Sequence, residues 1–269
     1  MINITIWYEY VQEEGTWKEN LLGSLPLTKE EKNQFDDFLK TSAEKIRTVY
    51  PKGISGTLAA YLGNNPDFNI VETNIYDPEY GLAEEVLDRT DVLIFWAHIA
   101  HDAIPDEIAD RIVKHVQSGM GFIPLHSAHK SKPFMHLLGT SGCLGWREDD
   151  FCRVWNINPA HPIAAGIPEY FELPEEEMYS EPFDIPKPDD IILISWFRGG
   201  EVFRSGVTWT RGYGKIFYFQ CGHETSPSYH NPHVLRIIEN AVLWCVPHIR
   251  RLGFDCPNML TSPESIVKQ

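Results

Sequence analysis

The chain has no apolar run approaching the roughly 20 residues that a membrane-spanning helix needs, and no basic stretch leading into an apolar segment at its start. Membrane spanning and export are therefore not expected. Basic charge is scarce: 23 Lys and Arg against 38 Asp and Glu give a formal net charge of −15, which speaks against nucleic acid or an anionic membrane surface as partner. Five cysteines, an odd number without paired metal-ligand spacing, offer no disulfide framework for a chain of 269 residues. Glycine forms no dinucleotide-binding fingerprint, and there is no internal repeat or low-complexity segment. These absences leave a reduced, cytoplasmic protein acting on a neutral or weakly charged small molecule. Its length suits one elaborated domain with a sizeable core.

What is present begins with "INITIWYE", a β-branched and aromatic run that reads as the first strand. Residues 9 to 31 are polar and turn-rich. Phe35, Phe38, Leu39, Ile46 and Val49 then recur at helical intervals behind Thr28 as cap, and Pro51 ends that helix. A short helix from Ile54 to Leu62, the strand "FNIVET", a helix near Leu82 to Leu87 and the buried strand Asp91 to Ala97 follow. Ile108, Ile112, Val113 and Val116 form one apolar stripe between Pro105 and Gly119, and the strand Gly121 to His126 comes next. This alternation of strand and helix predicts an α/β domain with a doubly wound, mainly parallel sheet. After residue 145 shorter β-like runs take over, at Phe151 to Ile157, Ile191 to Phe197, Gly206 to Thr210 and Lys215 to Cys221, and they suit antiparallel strands added at one edge. A final helix, with Asn231 as cap and Pro232 at its first position, closes the domain at about residue 248. The remainder, 249–269, reads as a tail suited to packing on another subunit, which makes a homo-oligomer the expected assembly.

Histidine carries the functional signal. His98 and His101 in "FWAHIAHD" and His126 and His129 in "PLHSAHK" form two pairs of equal spacing, each just after a buried strand, and "YFQCGHE" delivers His223 and Glu224 in the same way. The ends of parallel strands are where an open α/β sheet keeps its ligand site. Imidazole moves protons near neutral pH and binds transition metals. If these strands are neighbours, their imidazoles converge, and three nitrogen or carboxylate ligands with one open position is the usual plan of a catalytic zinc site. More candidates exist than such a site has places, so the ligand set stays open at this stage.

Other residues have plainer readings beside the functional one. Ser127, on a sharp strand-to-helix turn, is a nucleophile if His129 or His223 serves it as base, and otherwise a helix cap. Glu181 is a candidate ligand or general base, whereas Glu175 to Glu177 read as a solvated acidic run. His230 lies at the entry to the last helix, within reach of the site; His115 and His233 read as helix-surface residues and His161 as part of a rigid turn. Cys221 reads as an inert core thiol. Among the aromatics Trp96, Trp146, Trp155, Trp196, Phe197, Trp209 and Tyr229, most are expected in the core. Two or three of them, Trp96 and Trp196 foremost, would give a sugar ring a flat wall, with Arg198 and Arg204 as hydroxyl or carboxylate donors. The glycines at 199 and 200 suit a hairpin turn.

The segments "FWAHIAHD", "GMGFIPLHSAHKSKPFMHLLGTSGCLGWRE", "HPIAAGI", "EEEMYSEPF" and "ISWFRGGEVFRSGVTWTRGYGKIFYFQCGHETSPSYH", in that order, resemble the ThuA family of trehalose-utilisation proteins over most of the chain. The resemblance implies a flavodoxin-like three-layer sandwich, similar to the class I glutamine amidotransferases, with extra β-rich insertions. It also implies a role in carbohydrate use, on trehalose-type disaccharides or their 3-keto derivatives. Where the amidotransferases carry a nucleophilic cysteine, this sequence has His126-Ser127. Where they end a later strand in histidine and glutamate one residue apart, it has adjacent His223-Glu224. Glutaminase chemistry is thus not expected. The leading expectation is a keto-sugar isomerase or glycoside-cleaving enzyme with a divalent metal, zinc first, held among His98, His101, His126 and His223, and with His126, His129, His223, Glu224 and Glu181 in catalysis. Two other readings are a sugar-binding or regulatory protein without turnover, and a hydrolase using Ser127 or Cys221.

Overall fold

A computed structural model describes residues 1–9, 28–251, 258, 260–262 and 264. The polar stretch before Thr28 and most of the tail after residue 251 lie outside the described residues, as do the side chains of Phe35, Phe38 and Leu39 in the first helix. Among the described residues nine strands form a single sheet: β1 (Ile2–Tyr8), β2 (Phe68–Asn74), β3 (Val92–Trp96), β4 (Gly121–Leu125), β5 (Gly145–Asn156), β6 (Tyr170–Ser180), β7 (Asp190–Phe197), β8 (Val202–Arg211) and β9 (Gly214–Phe219). Their order is β2-β1-β3-β4-β9-β8-β7-β5-β6. The first five neighbours are parallel and the last four antiparallel. The parallel half has the 2-1-3-4-5 order of flavodoxin-like sheets, with β9 as the fifth strand.

Six α-helices are found among the described residues: α1 (Lys29–Val49), α2 (Gly53–Leu62), α3 (Glu84–Arg89), α4 (Asp106–Gln117), α5 (Lys132–Leu138) and α6 (Pro232–Cys245). They form separate groups, α2 packing with α6, and α3 and α5 each packing on α4. Helices on both faces are what lets β3 and β4 be buried at every position. The caps follow the sequence. Thr28 and Glu31 form a reciprocal capping box on α1, and the Asn231 side chain accepts from the backbone of His233 and Val234 at the start of α6. In the core, Trp7 of β1 stacks on Phe95 of β3 at 4.2 Å between ring centroids, a pair worth about 0.5–1.5 kcal/mol beyond its buried area.

Two expectations need correction. The segment around "EEEMYSE" is the end of β6, not a solvated loop: Glu176 and Glu177 are buried, 0% and 4% exposed. Bulges between Arg147 and Cys152 shift the register of β5 against β6. The end of β6 reaches the end of β9, where the Gln220 side chain donates to the Glu177 carbonyl, and the start of β8, where Glu181 N–H donates to the Val202 carbonyl. His115, expected at the surface of α4, is buried between the Glu84 carboxylate and the Arg250 guanidinium.

A candidate metal and proton-transfer site

β3, β4 and β9 are consecutive in the sheet, so the three histidine-bearing turns leave it side by side. The rings of His98, His126 and His223 meet with centroids 5.2 to 5.5 Å apart. His126 takes a left-handed backbone, φ +52°, directly after β4, a conformation uncommon outside glycine that histidine enters more readily than most residues. It is held there by Tyr218, whose hydroxyl donates to the His126 carbonyl at 2.9 Å. Before His223 stands Gly222 at φ +130°, where an added Cβ would lie 2.0 Å from the Tyr229 hydroxyl oxygen. Trp96 Nε1 donates to the Gly222 carbonyl at 3.0 Å and ties the turn after β9 to β3.

The fourth member comes from β6. Glu177 brings a carboxylate oxygen to 3.0 Å from His126 Nε2, and one ligand atom from each of His98, His126, Glu177 and His223 lies within 4.8 Å of all the others. The outer nitrogens are spoken for by groups that orient the rings. His126 Nδ1 faces the Gln220 carbonyl at 3.0 Å, His98 Nδ1 the Glu224 carboxylate at 2.6 Å and His223 Nδ1 the Thr225 hydroxyl at 2.8 Å. Metal-binding imidazoles are oriented in this way, and the second nitrogen is then turned to the ion. His223 Nε2 is buried without a hydrogen-bond partner, a costly state for a polar atom unless a ligand completes it. Three nitrogens and one carboxylate oxygen are a donor set that fits zinc.

Electrostatics divides the histidines. Burial opposes charge on His98, but the carboxylates of Glu224, Glu177 and Glu9 outweigh it and raise the imidazole to about 10. Burial dominates at His223, lowered to about 4, and at His101 and His129, each lowered to about 3. Glu177, despite its burial, is drawn down to about 2 by His126, His98 and His223.

Two members of the cluster, His98 and Glu177, line a cavity of about 430 Å³, to which His101, Ser127, His129, Tyr179, Glu148 and Trp146 also contribute. Glu148 lies 3.8 Å from His223 Nε2 with a 44% exposed side chain, and burial, then Glu177, raise its carboxyl above the ordinary value. Trp146, 63% exposed, stands at this cavity and not in the core.

Comparison with known proteins now decides the family. The sequence matches ThuA, described as trehalose utilisation, over residues 15–245. The chain belongs to the ThuA family. The fold of this ThuA-family chain is similar to that of a ThuA-like protein of Parabacteroides merdae, at TM-score 0.59 and 12% identity, covering 95% of this chain and 93% of that one. It is also similar to a cytoplasmic protein of Salmonella typhimurium, at TM-score 0.52 and 16% identity, covering 73% and 88%. A search of the curated proteins finds no match.

The ThuA-family chain brings together three of the four histidines expected as ligands. His101 lines the cavity but stands outside the ligand cluster, and Glu177 takes the fourth place. His129 lines the cavity with Nδ1 2.7 Å from the Gly142 carbonyl, and Glu224 acts through His98. Ser127 neither caps α5 nor meets a histidine base; its hydroxyl pairs with Tyr179 Oη at 2.6 Å. Glu181 and Arg204 are spent on each other at 2.7 Å, so neither is offered to the cavity. Trp96 is fully buried behind His126, Trp196 lies under Arg153, Arg198 beside Phe151, and His230 Nε2 on the Val49 carbonyl at 2.7 Å. Cys221 is buried, and burial together with Cys152 pushes its thiol well up, the reverse of a nucleophile. The residues that sequence reasoning missed are Glu177, Glu148 and Trp146. For Glu177 the one signal was its place three residues before the Ser180–Glu181 end of an acidic run interrupted by Met178 and Tyr179.

Proposed function

We propose that this protein is a cytoplasmic, metal-dependent enzyme of disaccharide utilisation that moves a proton on a keto-sugar. The convergence of His98, His126, His223 and Glu177 within 4.8 Å beside an open cavity carries this reading. These four residues would hold a divalent cation, zinc first. A zinc ion held by four protein ligands would have to widen its coordination on binding substrate, and it would then polarise a sugar carbonyl and stabilise the negative charge that gathers on its oxygen.

The chain's own residues supply the rest. Glu148, at the cavity and 3.8 Å from His223, takes the proton from the carbon next to the carbonyl. Returning it to the former carbonyl carbon, while the hydroxyl proton passes from one enediol oxygen to the other, gives isomerisation; departure of a glycosidic oxygen with its electron pair, protonated as it leaves, gives cleavage. A carboxyl raised by burial is suited to both halves of such a transfer. His101 and His129, uncharged at neutral pH, and the Ser127–Tyr179 hydroxyl pair offer neutral hydrogen-bonding groups to sugar hydroxyls. Trp146 gives a sugar ring a flat apolar face. The unpaired state of the described cysteines Cys143, Cys152, Cys221 and Cys245 supports a reducing compartment, and no helix among the described residues is long and apolar enough to cross a membrane.

The test is proton exchange. Zinc-loaded protein incubated with 3-keto-disaccharides in deuterium oxide is expected to place deuterium beside the carbonyl, with Glu148→Gln at least a hundredfold slower by the usual contribution of a general base. Sugar binding without exchange or product would sink the catalytic reading in favour of a binding protein.

A further inference from the structure

Two buried carboxylates stand behind the ligand cluster and outside the cavity. Glu9, just past the end of β1, is 1% exposed, and its two oxygens accept the backbone N–H groups of His98 and Ile99 at 2.8 Å each. Glu176 is 0% exposed and accepts from the backbone of Gly222 at 2.8 Å, of His223 at 3.1 Å and of Glu177 at 2.9 Å, and from the Ser228 hydroxyl at 2.6 Å. One carboxylate therefore grips the main chain of the turn after β3 and the other that of the turn after β9. In both cases the gripped amides include those of proposed ligand residues.

Holding those turns does not in itself call for charge. A backbone N–H is satisfied by a carbonyl or an amide oxygen, and burying an ionised carboxylate costs far more than burying either. Burial raises both carboxyls above the ordinary value, and the N–H and O–H donors that face them draw them back only in part. The histidine nearest in electrostatic effect is His98 for Glu9 and His126 for Glu176. Together with Glu177 and Glu224, four carboxylates thus surround three imidazoles.

We propose that Glu9 and Glu176 are positioning residues for the metal centre: they fix the His98 and His223 turns with the rings converging. This inference rests on the metal reading given above. Each acts through the backbone of a ligand, and neither touches the ion or the substrate.

The test compares the parent with Glu9→Gln and Glu176→Gln, each in zinc-loaded and chelator-stripped form. Zinc affinity is read by competition with a chromophoric chelator, and melting temperature is read in both forms. Outer groups of this kind typically change metal affinity by about ten- to a hundredfold, and a loss of that size is expected in each variant. The zinc-loaded form is expected to lose more melting temperature than the stripped form, because the zinc affinity it loses is part of its stability. Unchanged zinc affinity, with equal losses of melting temperature in the two forms, overturns the proposal and leaves a purely structural role. Should Glu176→Gln fail to fold, Ser228→Ala removes one donor and keeps the carboxylate; a severalfold loss of zinc affinity supports the assignment of Glu176 and an unchanged affinity overturns it. A parent that takes up no zinc overturns the underlying metal reading, an outcome distinct from a parent that binds zinc as its variants do.

Discussion

Glu177 Oε2 lies 3.0 Å from His126 Nε2, and that contact joins the edge strand β6 to the turn after the central strand β4. The two residues are 51 positions apart in the chain and five places apart in the order of strands, so only the return of the bulged β5–β6 ribbon brings them together. Alignment of an N–H donor is not achieved there: Glu177 Oε2 has no hydrogen bond despite the short contact. Two donor atoms facing each other in this way are an arrangement that a shared cation would complete.

Glu177→Gln and His101→Gln separate the ligand set found here from the one suggested by histidine spacing. The first replaces a carboxylate ligand by an amide of the same shape and is expected to abolish stoichiometric zinc. The second leaves the cluster intact and is expected to retain it. Elemental mass spectrometry of untagged protein decides the matter, and retention of zinc by Glu177→Gln would remove Glu177 from the centre.

Without metal, stability is expected to peak near pH 6.5. His101 and His129 at about 3 and His223 at about 4 bind protons more weakly folded than unfolded, where 6.5 is the ordinary value. Stability therefore falls as the pH drops from 6.5 through those values. His98 has the opposite sign: raised to about 10, it contributes fully below 6.5 and loses that contribution as the pH rises through 10. Glu177, at about 2 against 4.5, adds a loss below pH 4.5. Urea denaturation of chelator-treated protein across pH 4 to 10 checks the curve, and a flat profile from 6.5 to 10 would contradict the His98 assignment.

Trp146→Ala is expected to weaken disaccharide binding about fivefold, in line with the loss of one aromatic contact worth roughly 1 kcal/mol, while leaving zinc content and melting temperature near those of the parent. The indole is already 63% exposed, so little core is lost. Calorimetry with the sugar and elemental analysis read the two effects separately. Equal affinity in parent and variant would remove Trp146 from the substrate site.

Gly222→Ala is expected to destabilise the protein by several kcal/mol. The new Cβ meets the Tyr229 hydroxyl at 2.0 Å, and φ +130° is strained for any L side chain, at about 1–3 kcal/mol by itself. Because His223 follows directly, zinc affinity should fall with stability. Denaturant melts and chelator competition on the same sample test the coupling.

The sequence alone determined what depends on neighbouring residues. The apolar runs of β3, β4 and β9 and the stripe of α4 follow from local periodicity, and the polar residues that end those runs must emerge at the strand ends. His98, His126 and His223 were legible for that reason, as were the Thr28 and Asn231 caps. Tertiary structure decided what depends on partners far along the chain. Equal spacing placed His98 and His126 in the cluster, while His101 and His129 line the cavity. Glu181 looked available until Arg204, 23 residues later, closed on it. Glu177 looked solvated because a carboxylate is normally left in water, and what reverses that preference, three imidazoles converging on it, exists only once the sheet has formed.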